Sequence, residues 1–192
     1  TAAYNNMIDE VKQTEAWAKI EDSLNNQGVL KKTIDEKKKN WYLLEGKRHF
    51  LENQYQFRVE TIGVFTNEEL VKKACLVLNV KFHKLSEKIT NDEIVYVKDS
   101  INVKNSYDVK LFGIDYSVGK NIEYMLHDRF LNKAKVLSYV GFIKRHPHDD
   151  HSIIRLVFKD EEKANKDNIK SLLQSCIDYC IQNYTNISDS FV

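Results

Sequence analysis

The sequence predicts an α+β fold, strands interspersed with helices that gather on one face. Three observations carry the prediction. Stretches rich in Val, Ile, Tyr and Phe with strand character fall at 54–65, 107–117, 136–145 and 151–159. Apolar residues recur at helical spacing over 67–88, 118–133 and 163–184. Turn-forming residues are scarce, with six Gly and one Pro in 192 residues, so the chain has few means of building elaborate loops.

The elements follow in order. Residues 1–50 are polar and read as helical or irregular. They carry Trp17, Trp41 and the run KKTIDEKKKN, whose lysines form a solvated face. The two tryptophans are large enough to anchor this segment on a neighbour. In QYQFRVETIGVF, Tyr55, Phe57, Val59 and Thr61 alternate with polar residues, which predicts a strand with one buried face. Gly63 relieves the chain before a turn. Thr66 with Glu69 forms a capping box for the helix over 67–88, whose stripe is Leu70, Ala74, Val77, Leu78, Phe82 and Leu85. Residues 91–106 are rich in Asn, Asp and Ser around the patch Ile94–Val97, and read as a linker between parts 1–90 and 107–192.

The second part opens with a strand, YDVKLFGIDYS. Ser117 is the expected cap of the next helix, with the stripe Val118, Ile122, Met125, Leu126 and Phe130. Two strands follow, VLSYVGFIKR and HSIIRLVFK, rich in β-branched and aromatic residues. The last helix carries Ile169, Leu172, Leu173, Cys176, Ile177, Cys180, Ile181 and Tyr184 on one face. Each such side chain contributes roughly 1.5–3 kcal/mol on burial, before entropy.

A net charge of +1 supplies no field to recruit nucleic acid, so direct binding to it is not expected. No apolar run approaches the length of a membrane span. The opening residues lack the basic and apolar regions of a signal peptide and an initiator Met, and the chain is expected to begin inside a longer one. Cys75, Cys176 and Cys180 are an odd, sparse set and not a disulfide framework, and read as core cysteines of a reducing compartment. Phosphate-loop, dinucleotide and nucleophile-elbow motifs are absent.

One string is chemically suggestive. HPHDDH at 146–151 fits H-x-H-x-D-H, the signature of metallo-β-lactamase-like hydrolases. A metal centre needs further ligands from other loops, yet no histidine follows His151. Five polar residues and a Pro between two strand-like runs are what a hairpin connection looks like. No metal or other cofactor and no catalytic residue is therefore expected, and hydrolase chemistry stays a remote alternative.

With that string read as a turn, the second part resembles a known family. DYSVGK, then YVGFIKRHP, then IIRL are similar to the eleventh subunit of RNA polymerase II and its archaeal and polymerase I and III counterparts. Asp115, Ser117, Gly119, Val140, Gly141, Phe142, His146, Pro147 and Arg155 fall at the family's motif positions. Tyr116 stands where the family has His, Val118 for Leu, Lys120 for Asn and Arg145 for the first Pro of Pro-His-Pro. Upstream, residues 39–74 resemble the end of the third subunit of the same enzyme, carried by Phe57, Val59, Glu60, Gly63, Glu68 and Glu69.

The resemblance implies a fused pair of α-like halves, of a kind found in large DNA viruses. Residues 1–90 would hold the third-subunit-like part and 107–192 the eleventh-subunit-like dimerisation domain. It implies a non-catalytic platform on which the two largest polymerase subunits dock, with a small zinc-binding subunit alongside. The halves would pair through Val118, Gly119, Ile122, Met125, Leu126 and Phe130, extended by Ile169, Leu172, Leu173, Cys176 and Ile177. The same stripes read equally well as the core of a single domain. Expected surroundings are the virion and host cytoplasm, or the nucleus if the source is not viral. A stand-alone α+β protein-interaction module is the alternative.

Overall fold

The structure, a computed structural model, describes residues 2–99 and 103–191. The chain divides into two units, residues 1–67 and 68–192, each with its own core.

In the first unit β1 (Ala2–Ile8) pairs antiparallel with β2 (Phe50–Val59), and two helices lie between them in sequence. Asp9 starts α1 (Glu10–Asn26) by accepting from the Lys12 N–H at 3.1 Å. Gly28, at φ +70°, turns the chain towards α2 (Lys31–Leu43). Trp17, Leu24 and Ile34 are buried, with Val29, Trp41 and Tyr42 packed around them. Trp17 and Trp41 lie 5.6 Å apart, so the tryptophans tie α1 to α2. The lysine run lies on α2: Lys38 sits 5.9 Å over the Trp17 ring, while Lys31, Lys32 and Lys39 are exposed.

Two expectations for this unit need correction. The opening stretch contains a strand, β1, which polar residues disguise. The alternation around Tyr55 marks a strand, but its face is not buried: Phe57 is 70% exposed and Val59 half-buried. Among the described residues the ribbon has two strands, too few for a sheet that buries a face by itself.

The second unit is a four-stranded antiparallel sheet with three helices. Its elements are α3 (Asn67–Thr90), β3 (Val95–Asp99), β4 (Ser106–Phe112), α4 (Tyr116–Leu126), β5 (Leu137–Ile143), β6 (His151–Phe158) and α5 (Lys166–Asp189). The strand order is β3-β4-β6-β5. Val109, Leu111, Ile154, Leu156, Val140 and Phe142 share one core with residues of all three helices. On the other face Asp108 and Arg155, opposite one another in register, form two bonds of 2.6 and 2.7 Å. This places the unit in the α+β class.

The division of the chain differs from the expected one. Residues 91–106 do not form a plain linker, because β3 lies within them and pairs with β4 along its length; residues 100–102 of that stretch lie outside the described residues. Compactness divides the chain before α3 and not after it. On α3 the buried residues are Cys75, Phe82, Leu85 and Ile89, whereas Ala74 and Val77 face outwards. Leu76, Val77 and Val80 give this helix apolar residues on a second side, which blurs its period.

Candidate assembly interface

The site expected to pair two halves is built on α4. Asp115 is its N-cap, accepting from the Ser117 N–H at 3.1 Å, so Ser117 is a first-turn residue and not the cap. The Ser117 hydroxyl also bonds Asp115 Oδ1 closely. Lys81 of α3 reaches the other carboxylate oxygen at 3.3 Å. The Ser117 hydrogen bond, assisted by Lys81, holds the Asp115 carboxyl below its ordinary range.

Val118, Ile122 and Leu126 are fully buried on the face turned to the sheet. Gly119 lies against β5 so closely that a Cβ there would stand 2.0 Å from the Phe142 ring. After Leu126 the helix widens into a π-helical stretch, His127–Lys133, and Phe130 packs against the core from it. On α5, Ile169, Leu173, Cys176 and Ile177 are buried in the same core, with Leu172 and Met125 at its margin. α3 closes the other side. Its Phe82 stacks on Tyr184 at 5.9 Å, and the Tyr184 hydroxyl donates to Asn121 of α4 at 3.0 Å. Gln174 of α5 donates to Ser86 of α3 at 2.7 Å.

The stripes named from sequence are thus brought together, and what they bury against is this unit's own sheet and α3. Burial pushes the Cys176 thiol up to about 12 and Cys180 to about 11, so both stay protonated core residues.

The motif positions are spread over the sheet. Val140 and Phe142 point into the core, while Gly141 opposes Arg155 on the outer face. His146, Pro147 and His148 are exposed in the connection between β5 and β6. That connection is closed by the His146 N–H on Asp149 Oδ2 at 3.0 Å and the Asp149 N–H on the His146 carbonyl at 3.0 Å. Asp150 pairs with His151 at 2.7 Å, and His151 already belongs to β6. Among the described residues no group of three or more His, Cys, Asp or Glu side chains is placed to hold a metal ion. No helix among them is long and apolar enough to cross a membrane. In the first unit Glu60 is exposed and Gly63 adopts φ +96° in a turn held by the Thr61 hydroxyl, which donates to the Phe65 carbonyl at 2.7 Å.

Sequence reasoning missed Lys81, Glu123 and Asp108. Asp108 and Arg155 occupy facing strands with opposite charges, a signal usable only once the register is known. The comparisons match no protein-family model and find no similar curated protein.

Proposed function

We propose that the chain is a non-catalytic assembly subunit of a multisubunit DNA-directed RNA polymerase, joining two α-like halves into the platform on which the two largest subunits dock. The observation that carries this reading is the contact of Gly119 with Phe142. The segments DYSVGK and YVGFIKRHP are separate in sequence, yet the glycine of the first lies where only a glycine fits against the aromatic ring of the second. A resemblance that rests on both segments gains support when their residues depend on one another.

The burial of α3 adds to it. This helix ends the third-subunit-like part, and its Phe82, Leu85 and Ile89 share a core with the eleventh-subunit-like α4 and α5. Pairing of two halves within one chain would produce such a core. In this reading the partners are the two largest subunits and a small zinc-binding subunit. The protein contributes surface and rigidity and carries out no chemistry of its own.

Affinity purification of the tagged chain from the cells that use it, followed by mass spectrometry, tests the proposal. The two largest polymerase subunits should co-purify in stoichiometric amounts. Recovery of the folded chain without polymerase subunits would favour a stand-alone interaction module and overturn the assignment.

A further inference from the structure

Strand β5 is an edge of the sheet, and among the described residues β6 is the strand that pairs with it. Its sequence, LSYVGFI, carries no charge and no proline, and Tyr139 and Ile143 are 52% and 51% exposed. An open edge of this composition is a template for strand addition. The simplest strand to add is the same one from a second copy, because a twofold axis pairs identical apolar strands antiparallel.

This edge is closed by α4. The Phe142 N–H donates to Glu123 Oε1 at 2.9 Å. The Lys144 carbonyl accepts from the Tyr116 hydroxyl at 3.2 Å. The Phe142 N–H lies on β5 among the groups a neighbouring strand would engage, and the Lys144 carbonyl follows one residue past the end of the strand. Tyr116 and Glu123 are seven residues apart and so share one stripe of α4, with Gly119 and Lys120 between them. Gly119 brings the stripe within reach, since any side chain there would meet Phe142. Lys120 pairs with Glu123 and steadies its carboxylate, and the Tyr116 ring meets Phe142 edge-on at 5.3 Å.

We propose that this stripe is an edge guard, in which Tyr116 and Glu123 take the place of a missing strand and exclude pairing of β5 with β5 of a second copy of this chain. The guard rests on the sheet edge alone, so it and the polymerase reading can fail separately.

Sedimentation equilibrium of the whole chain, together with amide exchange at Phe142, tests it. Tyr116→Phe with Glu123→Ala should raise the self-association constant at least about tenfold over wild type. The Phe142 amide should exchange faster in dilute solution and become protected again as concentration rises. Glu123→Gln keeps a carbonyl acceptor and should behave as wild type. Tyr139→Lys, added to the double variant, puts a like charge on each of the two edge strands and should reverse the association. If the double variant loses its helical signal, Glu123→Ala alone is read by the same criteria. Association no stronger than wild type, or association that Tyr139→Lys leaves intact, overturns the proposal.

Discussion

Gly119→Ala puts the packing of α4 on β5 to a direct test. In an exposed helix this change stabilises by about 1 kcal/mol, because Ala loses less backbone freedom than Gly. Here the new methyl would stand 2.0 Å from Phe142 Cε2, where ordinary contact begins at 3.4 Å. Helix and ring must therefore separate by more than an ångström in a core where the neighbouring Val118 and Ile122 have no free surface. Overpacking of this kind costs typically about 1–3 kcal/mol and occasionally more. A backbone-borne methyl against a buried ring belongs at the upper end, so the net loss is expected to be about 1–2 kcal/mol. With a urea slope of about 1–3 kcal/mol per molar, the midpoint of the far-ultraviolet transition should fall by roughly 0.3–2 M. Both tryptophans lie in the first unit, so their fluorescence follows that unit separately. Phe142→Ala costs stability by itself but clears space, so the double variant should recover part of the loss, with a coupling of about 1 kcal/mol or more. A neutral or stabilising Gly119→Ala, or strict additivity with Phe142→Ala, would refute the close-approach argument.

Two further outcomes follow from the same helix. Ile122→Asp or Leu126→Asp buries an unpaired carboxylate at a fully enclosed site, so either should unfold the second unit, losing about 4 kcal/mol or more; a cooperative urea transition near the wild-type midpoint would contradict this. Asp115→Ala removes the α4 cap and should cost about 0.5–2 kcal/mol at neutral pH. The Asp115 carboxyl lies below its ordinary value of 3.8 in the folded chain, so its contribution is present above that value and lost as pH falls through the lowered one. Urea midpoints of the two proteins should therefore differ at pH 7 and converge in strong acid, and an unchanged difference would remove the cap as the cause.

The fold was legible where one period ruled a segment. β5, β6, α4 and α5 fall close to their expected places, because each has a well-marked apolar pattern and a length suited to its type. The turn reading of HPHDDH followed from its position between two strand-like runs. The signal failed where one segment offers two patterns. α3 carries Cys75, Phe82 and Leu85 on one side and Leu76, Val77 and Val80 on another, so the spacing indicated a helix but misplaced its buried line. β3 is only five residues long and sits among Asn, Asp and Ser, whose turn character outweighed it. β2 alternates as a half-buried strand does, yet alternation records what a face could bury and not whether anything covers it. The helical stripes of α4 and α5 were legible as apolar, but a stripe does not name its partner, and here the partner is the unit's own sheet with α3.

The groups that close the β5 edge lay beyond sequence for a different reason. Glu123 accepts from a backbone N–H 19 residues away and Tyr116 donates to a backbone carbonyl 28 residues away, and such groups are common to nearly every residue of a chain. No residue type marks them as partners. Their identity depends on strand parity and on how near the helix can come. Gly119 decides the second of these, so the position that packing keeps free of a side chain also sets the reach of Tyr116 and Glu123 on either side of it. A helix one methyl further out would leave the core nearly as apolar, yet it would carry Tyr116 and Glu123 away from the edge they cover. In this unit the fit of α4 on the sheet therefore governs both the stability of the core and what the sheet edge is free to bind.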